Sequence, residues 1–96
     1  MSHRVPAEVT SDIGSLLRDL EALGYRPTES SYATESFGNY HVDLTSPRGW
    51  LRLVRDRSQY TIETESGEEL RKAGLFRAFN DRNEFVSAVL QWLRAA

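Results

Sequence analysis

The sequence predicts an α+β domain: a two-layer sandwich in the order helix, three-stranded antiparallel meander, helix, with both helices on one face of the sheet. Three observations predict it. Apolar residues recur every three to four positions near each end, at Ile13, Leu16, Leu17, Leu20 and Leu23, and again at Phe85, Val86, Val89, Leu90 and Leu93. Between these stretches, residues 37–65 alternate apolar and polar side chains with the period of strands. The links inside that region are short, so neighbouring strands must run antiparallel.

Ninety-six residues suit one domain with one core. The hydrophobic share of 40% and charged share of 27% are those of an ordinary globular chain. Net charge is −2 with both signs interspersed, which argues against nucleic acid, since phosphate binding rests on clustered Lys and Arg. Lys72 is the single lysine among eleven arginines. With no cysteine, disulfides, thiolate metal sites and cysteine nucleophiles are excluded. The start, Met-Ser-His-Arg-Val-Pro, has no apolar leader stretch, and no run reaches membrane-spanning length. A cytoplasmic location without membrane contact is therefore expected.

Residues 1–9 carry few structural signals and are expected to fray. A helix is predicted over residues 10–23, capped by Thr10 or Ser11, with Asp12 in the first turn where the helix dipole favours an acid. Gly24 then permits a left-handed residue, Tyr25 folds back on Leu20, and Pro27 blocks continuation. Residues 28–36 are rich in Thr, Ser and Glu and read either as a loop or as an edge strand.

In the first predicted strand Tyr40, Val42 and Leu44 share one face, while His41 and Asp43 share the other. Pro47 and Gly49 supply turn chemistry. Leu51 and Leu53 face inward and Trp50, Arg52 and Val54 outward. After a tight return at Asp56-Arg57-Ser58, Tyr60 and Ile62 face in and Thr61 and Glu63 out. Ser66 to Glu69 has capping-box spacing, for a short helical turn through Ala73 ended by Gly74. Leu75, Phe76 and Phe79 are expected to pack. Asp81 caps the last helix, whose apolar stripe is flanked by Trp92.

This parity leaves Phe37, His41, Asp43, Trp50, Arg52, Val54 and Glu63 on the face away from the helices. Trp and Arg beside charges is the mixture of a binding hot spot, and these seven are the candidate partner-binding residues. The same residues also read as an ordinary solvated face with cross-strand Asp–Arg–Glu pairs.

No framework for chemistry is evident. His3 and His41 are the only histidines, and neither a metal site nor a cofactor is expected. Glycine-rich phosphate loops and nucleophile elbows are absent from the sequence. His41, Arg52 and Glu63, on three adjacent strands, could supply the parts of a metal-free ribonuclease, and this is the alternative reading.

The order helix, three strands, helix resembles that of double-stranded RNA-binding domains. Their last helix opens on clustered lysines, whereas here the chain reads Asn80-Asp-Arg-Asn-Glu, which the charge argument disfavours. A second resemblance is carried by Phe37-Gly-Asn and by Leu51-Arg-Leu-Val-Arg-Asp-Arg-Ser-Gln-Tyr. Over residues 37–62 the chain resembles small bacterial immunity proteins of polymorphic toxin systems. Ser58 departs from the Gly expected there, and Trp92-Leu93 matches only loosely. The resemblance implies a small, non-catalytic, immunity-like or regulatory domain that binds a protein partner, as a monomer or a homodimer.

Overall fold

The computed structural model describes residues 4–33 and 38–95. Its elements are α1 (Ala7–Ala22), β1 (Arg26–Ala33), β2 (Asn39–Ser46), β3 (Gly49–Asp56), β4 (Gln59–Thr64), α2 (Gly67–Lys72) and α3 (Arg82–Ala95). The α+β class holds, but the sheet has four antiparallel strands in the order β1-β2-β3-β4, not three.

The added strand is β1, so of the two readings of residues 28–36 the edge strand holds for the part described. Apolar alternation could not reveal it, because Arg26-Pro-Thr-Glu-Ser-Ser contains almost nothing apolar to alternate. Backbone pairing supplies what side chains do not: β1 runs against β2 from Arg26↔Thr45 to Ala33↔Asn39. The register shifts between Pro27 and Glu29. A strand at the rim tolerates both Pro27, which lacks an N–H, and such a bulge. Residues 34–36, and Phe37 of the candidate face, lie outside the described residues.

Helix α1 begins at Ala7, earlier than expected, and its first turn includes Ala7 to Val9. Pro6 takes the cap position with extended backbone (φ −55°, ψ 145°), and its carbonyl accepts from the amides of Val9 and Thr10, each at 3.1 Å. Thr10 therefore does not cap: its hydroxyl donates back to the Pro6 carbonyl at 3.3 Å. Val9 is fully buried and extends the stripe to Val9, Ile13, Leu16 and Leu20. Asp12 consequently stands mid-helix, and Glu8 is the acid of the first turn. Ile13 departs from helical geometry (φ −124°, ψ 25°), a kink beside the buried Gly14. The far end follows expectation. Gly24 has φ 97°, its amide reaches the Glu21 carbonyl at 3.0 Å, and the Tyr25 amide reaches Leu20 at 2.9 Å.

Side-chain parity in the sheet is as predicted. Tyr40, Val42, Leu44, Leu51, Leu53, Tyr60 and Ile62 are all buried, and they form one cluster with the stripes of α1 and α3, Leu70 of α2, Leu75 and Phe79. Both long helices thus cover one face. The β2–β3 hairpin closes at Ser46↔Gly49, and Gly49 has φ 130°. The β3–β4 hairpin closes at Asp56↔Gln59. Its two turn residues, Arg57 and Ser58, are both left-handed, with φ 53° and 65°. Neither is glycine, and Asn39 offsets the cost by accepting the Arg57 amide and donating to Asp56 Oδ1, both at 3.0 Å.

Ser66 accepts the Glu69 amide at 3.4 Å, and α2 ends at Gly74 (φ 76°) with Leu75 N–H on the Leu70 carbonyl at 2.8 Å. One expected core residue is outside. Phe76 is 59% exposed, with the Arg71 guanidinium 4.9 Å from its ring centre. Leu75 and Phe79 take the inward positions around it, and the connection offers no third. Phe79 also exchanges two 2.8 Å backbone bonds with Tyr60, which shields part of the rim of β4. Asp81 Oδ2 accepts the Glu84 amide at 3.2 Å to start α3, and Phe85 stacks on Tyr60 with ring centres 5.4 Å apart. Among the described residues, no helix is long and apolar enough to cross a membrane.

Candidate functional site

The outer face is assembled by register. Glu29, Asp43, Arg52 and Glu63 lie opposite one another across all four strands. One row along, Ser31, His41, Val54 and Thr61 do the same, and Thr45 pairs with Trp50. Of the seven candidate residues the structure brings together six; Phe37 is the exception already noted.

The centre is an ion pair with two parallel hydrogen bonds. Arg52 Nε donates to Asp43 Oδ1 at 2.6 Å and Nη2 to Oδ2 at 3.0 Å, with side-chain exposures of 43% and 20%. These bonds hold the Asp43 carboxyl below its ordinary range, against an opposing effect of burial, and raise the guanidinium. Both groups stay charged at neutral pH, and the planar fork fixes the Arg52 orientation. Beside them Trp50 is 40% exposed. Thr28, Asp43, Thr45, Trp50, Arg52 and Glu63 line a shallow depression of about 540 Å³. The Trp50 carbonyl accepts the Thr64 hydroxyl at 2.8 Å, which anchors the backbone under the indole.

His41 Nδ1 lies 3.2 Å from the Ser31 hydroxyl. His41 and Glu63 sit on β2 and β4 with β3 between them and two residues apart in register, roughly 12 Å apart at the backbone given the strand spacing and rise. Arg52 lies diagonal to His41, and two of its donors are held by Asp43. The three residues of the ribonuclease reading therefore share a face, but a phosphate at Arg52 would compete with a carboxylate already seated there.

The sequence reading missed a polar cluster on the opposite, buried side. Asp12 Oδ2 accepts the hydroxyls of Tyr40 at 2.7 Å and Tyr60 at 2.8 Å. Arg55 Nε lies 3.9 Å from the same oxygen, and Arg82 Nη1 lies 3.5 Å from Oδ1. Burial first, then the Asp12 carboxylate, pushes the Tyr40 phenol well above its ordinary range and raises that of Tyr60, so both stay protonated donors. Arg55 Nε is buried without a hydrogen bond. A signal was present: Leu51, Leu53 and Arg55 share parity, so the strand that turns two leucines inward must turn an arginine inward next.

Among the described residues, no three His, Cys, Asp or Glu side chains gather as metal ligands would. No protein-family model, curated protein or solved structure matches this chain.

Proposed function

We propose that this chain is a non-catalytic protein-binding domain, immunity-like or regulatory in kind, that meets its partner on the outer face of the sheet. The carrying observation is Trp50, large and 40% exposed at the edge of the depression beside Asp43, Arg52 and Glu63. An indole that is already well positioned and half out of water loses little freedom on docking and gains apolar burial, which is why tryptophan recurs at hot spots. Three acids, Glu29, Asp43 and Glu63, stand in one row with one arginine. A partner presenting an apolar group toward Trp50 and a cation toward Glu63 complements that row. The resemblance to small immunity proteins over residues 37–62 supports the same reading.

The test is comparative capture from lysate of the source cells, using wild type and Trp50→Ala at matched melting temperature. A protein retained by the first and lost by the second supports the reading. Identical retention by both, or melting of Trp50→Ala at room temperature, overturns it. Sedimentation of the purified chain distinguishes a homodimer through this face. Cleavage of single-stranded RNA above a His41→Ala control would replace binding with catalysis.

A further inference from the structure

The helical side carries a second concavity, unrelated to the outer sheet face. We propose that the groove between α1 and α3 binds a small polar phosphate monoester, its phosphoryl group against Arg18 and Arg82 and the remainder along Ser15, Asn83 and Ser87.

Its volume is about 480 Å³. That lies within the range of roughly 300–1,000 Å³ usual for small-molecule pockets. Its lining is unlike that of an apolar cleft. Thr10, Ser11, Ser15, Asn83 and Ser87 face it with hydroxyls and an amide, and Val86 is its one large apolar contact. A lining of this kind has nothing to hold an aromatic ring or an apolar helix, and much to hold a ligand rich in oxygen.

Charge selects the anion. Two guanidiniums and one carboxylate line the groove, in a chain whose net charge is −2. The carboxylate, Asp12, is engaged through Oδ2 from the core side by the hydroxyls of Tyr40 and Tyr60, with Arg55 3.9 Å away. Its Oδ1 lies 3.5 Å from Arg82 Nη1, too long for a charge-assisted hydrogen bond, so the other Arg82 donors remain open to a ligand. Arg18 has no ion pair among the described residues. A tetrahedral phosphate accepts donors from several directions and matches two guanidiniums brought by different helices, whereas a planar carboxylate is served by one.

The backbone makes room for this. Gly14 is buried in the groove floor, and a β-carbon there would lie 3.1 Å from the Thr10 methyl and 3.6 Å from Arg18 Nη1. The approach to Thr10 is the tight one, so the missing β-carbon clears space beside the Thr10 methyl in the groove floor.

The test is titration of the full-length, isotopically labelled chain, at constant ionic strength, with glycerol phosphate, inorganic phosphate and glycerol, followed by amide resonances. Glycerol phosphate is expected to shift residues 11–18 and 82–87 and to saturate at millimolar concentration, with inorganic phosphate weaker at the same residues and glycerol silent. Arg18→Gln, with an unchanged melting curve, should weaken binding about tenfold, the scale of one charge-assisted hydrogen bond. Trp50→Ala should titrate like wild type. Failure to saturate, an equal response to chloride, or wild-type affinity in Arg18→Gln overturns the proposal. Equal affinity for phosphate and its ester overturns the assignment of Ser15, Asn83 and Ser87.

Discussion

Tyr40 and Asp12, twenty-eight positions apart, meet in a 2.7 Å hydrogen bond that ties the middle of α1 to the inner face of β2. Tyr60 of β4 donates to the same carboxylate oxygen at 2.8 Å. One acid therefore fixes the helix over three adjacent strands, with Arg55 of β3 between the two tyrosines. Asp12→Ala should cost roughly 1–3 kcal/mol, because it leaves two part-buried hydroxyls without an acceptor. Asp12→Asn, which keeps one acceptor, should cost less; urea melts of both variants check this.

The same contacts set an alkaline limit. Both phenols are raised above their unfolded values, so the folded chain holds protons that the unfolded chain releases. Their contribution is fully present below about pH 10 and declines above it as the unfolded tyrosines ionise. Melting temperature should therefore fall more steeply above that pH in wild type than in the Tyr40→Phe, Tyr60→Phe double variant.

At the acid end the sign reverses. Asp43 is held below its unfolded pKa by Arg52, so the pair contributes stability above about pH 4 and loses it as pH falls through the lower folded value. Asp43→Asn should be less stable than wild type at neutral pH, with the two melting curves converging on acidification. Added salt should narrow the neutral gap, since Arg52 is half in water.

Leu53 and Trp50 separate folding from binding. Leu53 is 1% exposed at the centre of the sheet, so Leu53→Ala should cost about 2–5 kcal/mol. Trp50→Ala should cost under about 1 kcal/mol, as a partly exposed side chain on the opposite face. Thermal melts of the two give the contrast.

The β3–β4 turn allows a stabilising change. Ser58 stands at φ 65°, where a β-carbon is strained and glycine is not. Ser58→Gly should add about 0.5–1 kcal/mol, the relief of strain less the greater freedom of the unfolded chain, and Tm measurement decides it.

Periodicity along the chain was enough for whatever depends on neighbours: the stripes Ile13–Leu16–Leu20 and Phe85–Val89–Leu93, the inward parity of Tyr40, Val42 and Leu44, the stop at Gly24 and the cap at Asp81. These follow from local geometry, in which a period of 3.6 or 2 assigns each side chain a direction. The same parity placed His41, Asp43, Trp50, Arg52, Val54 and Glu63 together on the outer face. Strand β1 was not legible in this way, because a polar rim strand is held by backbone bonds to β2 that no side-chain pattern records. The bidentate geometry of Asp43 and Arg52, the exposure of Phe76, and the meeting of Asp12 with Tyr40, Tyr60, Arg55 and Arg82 were decided only in three dimensions. The first depends on the register of β2 against β3, the second on which side chains of the α2–α3 connection fill the core, and the third on how α1 and α3 lie over the sheet; none of these is recorded in a local period.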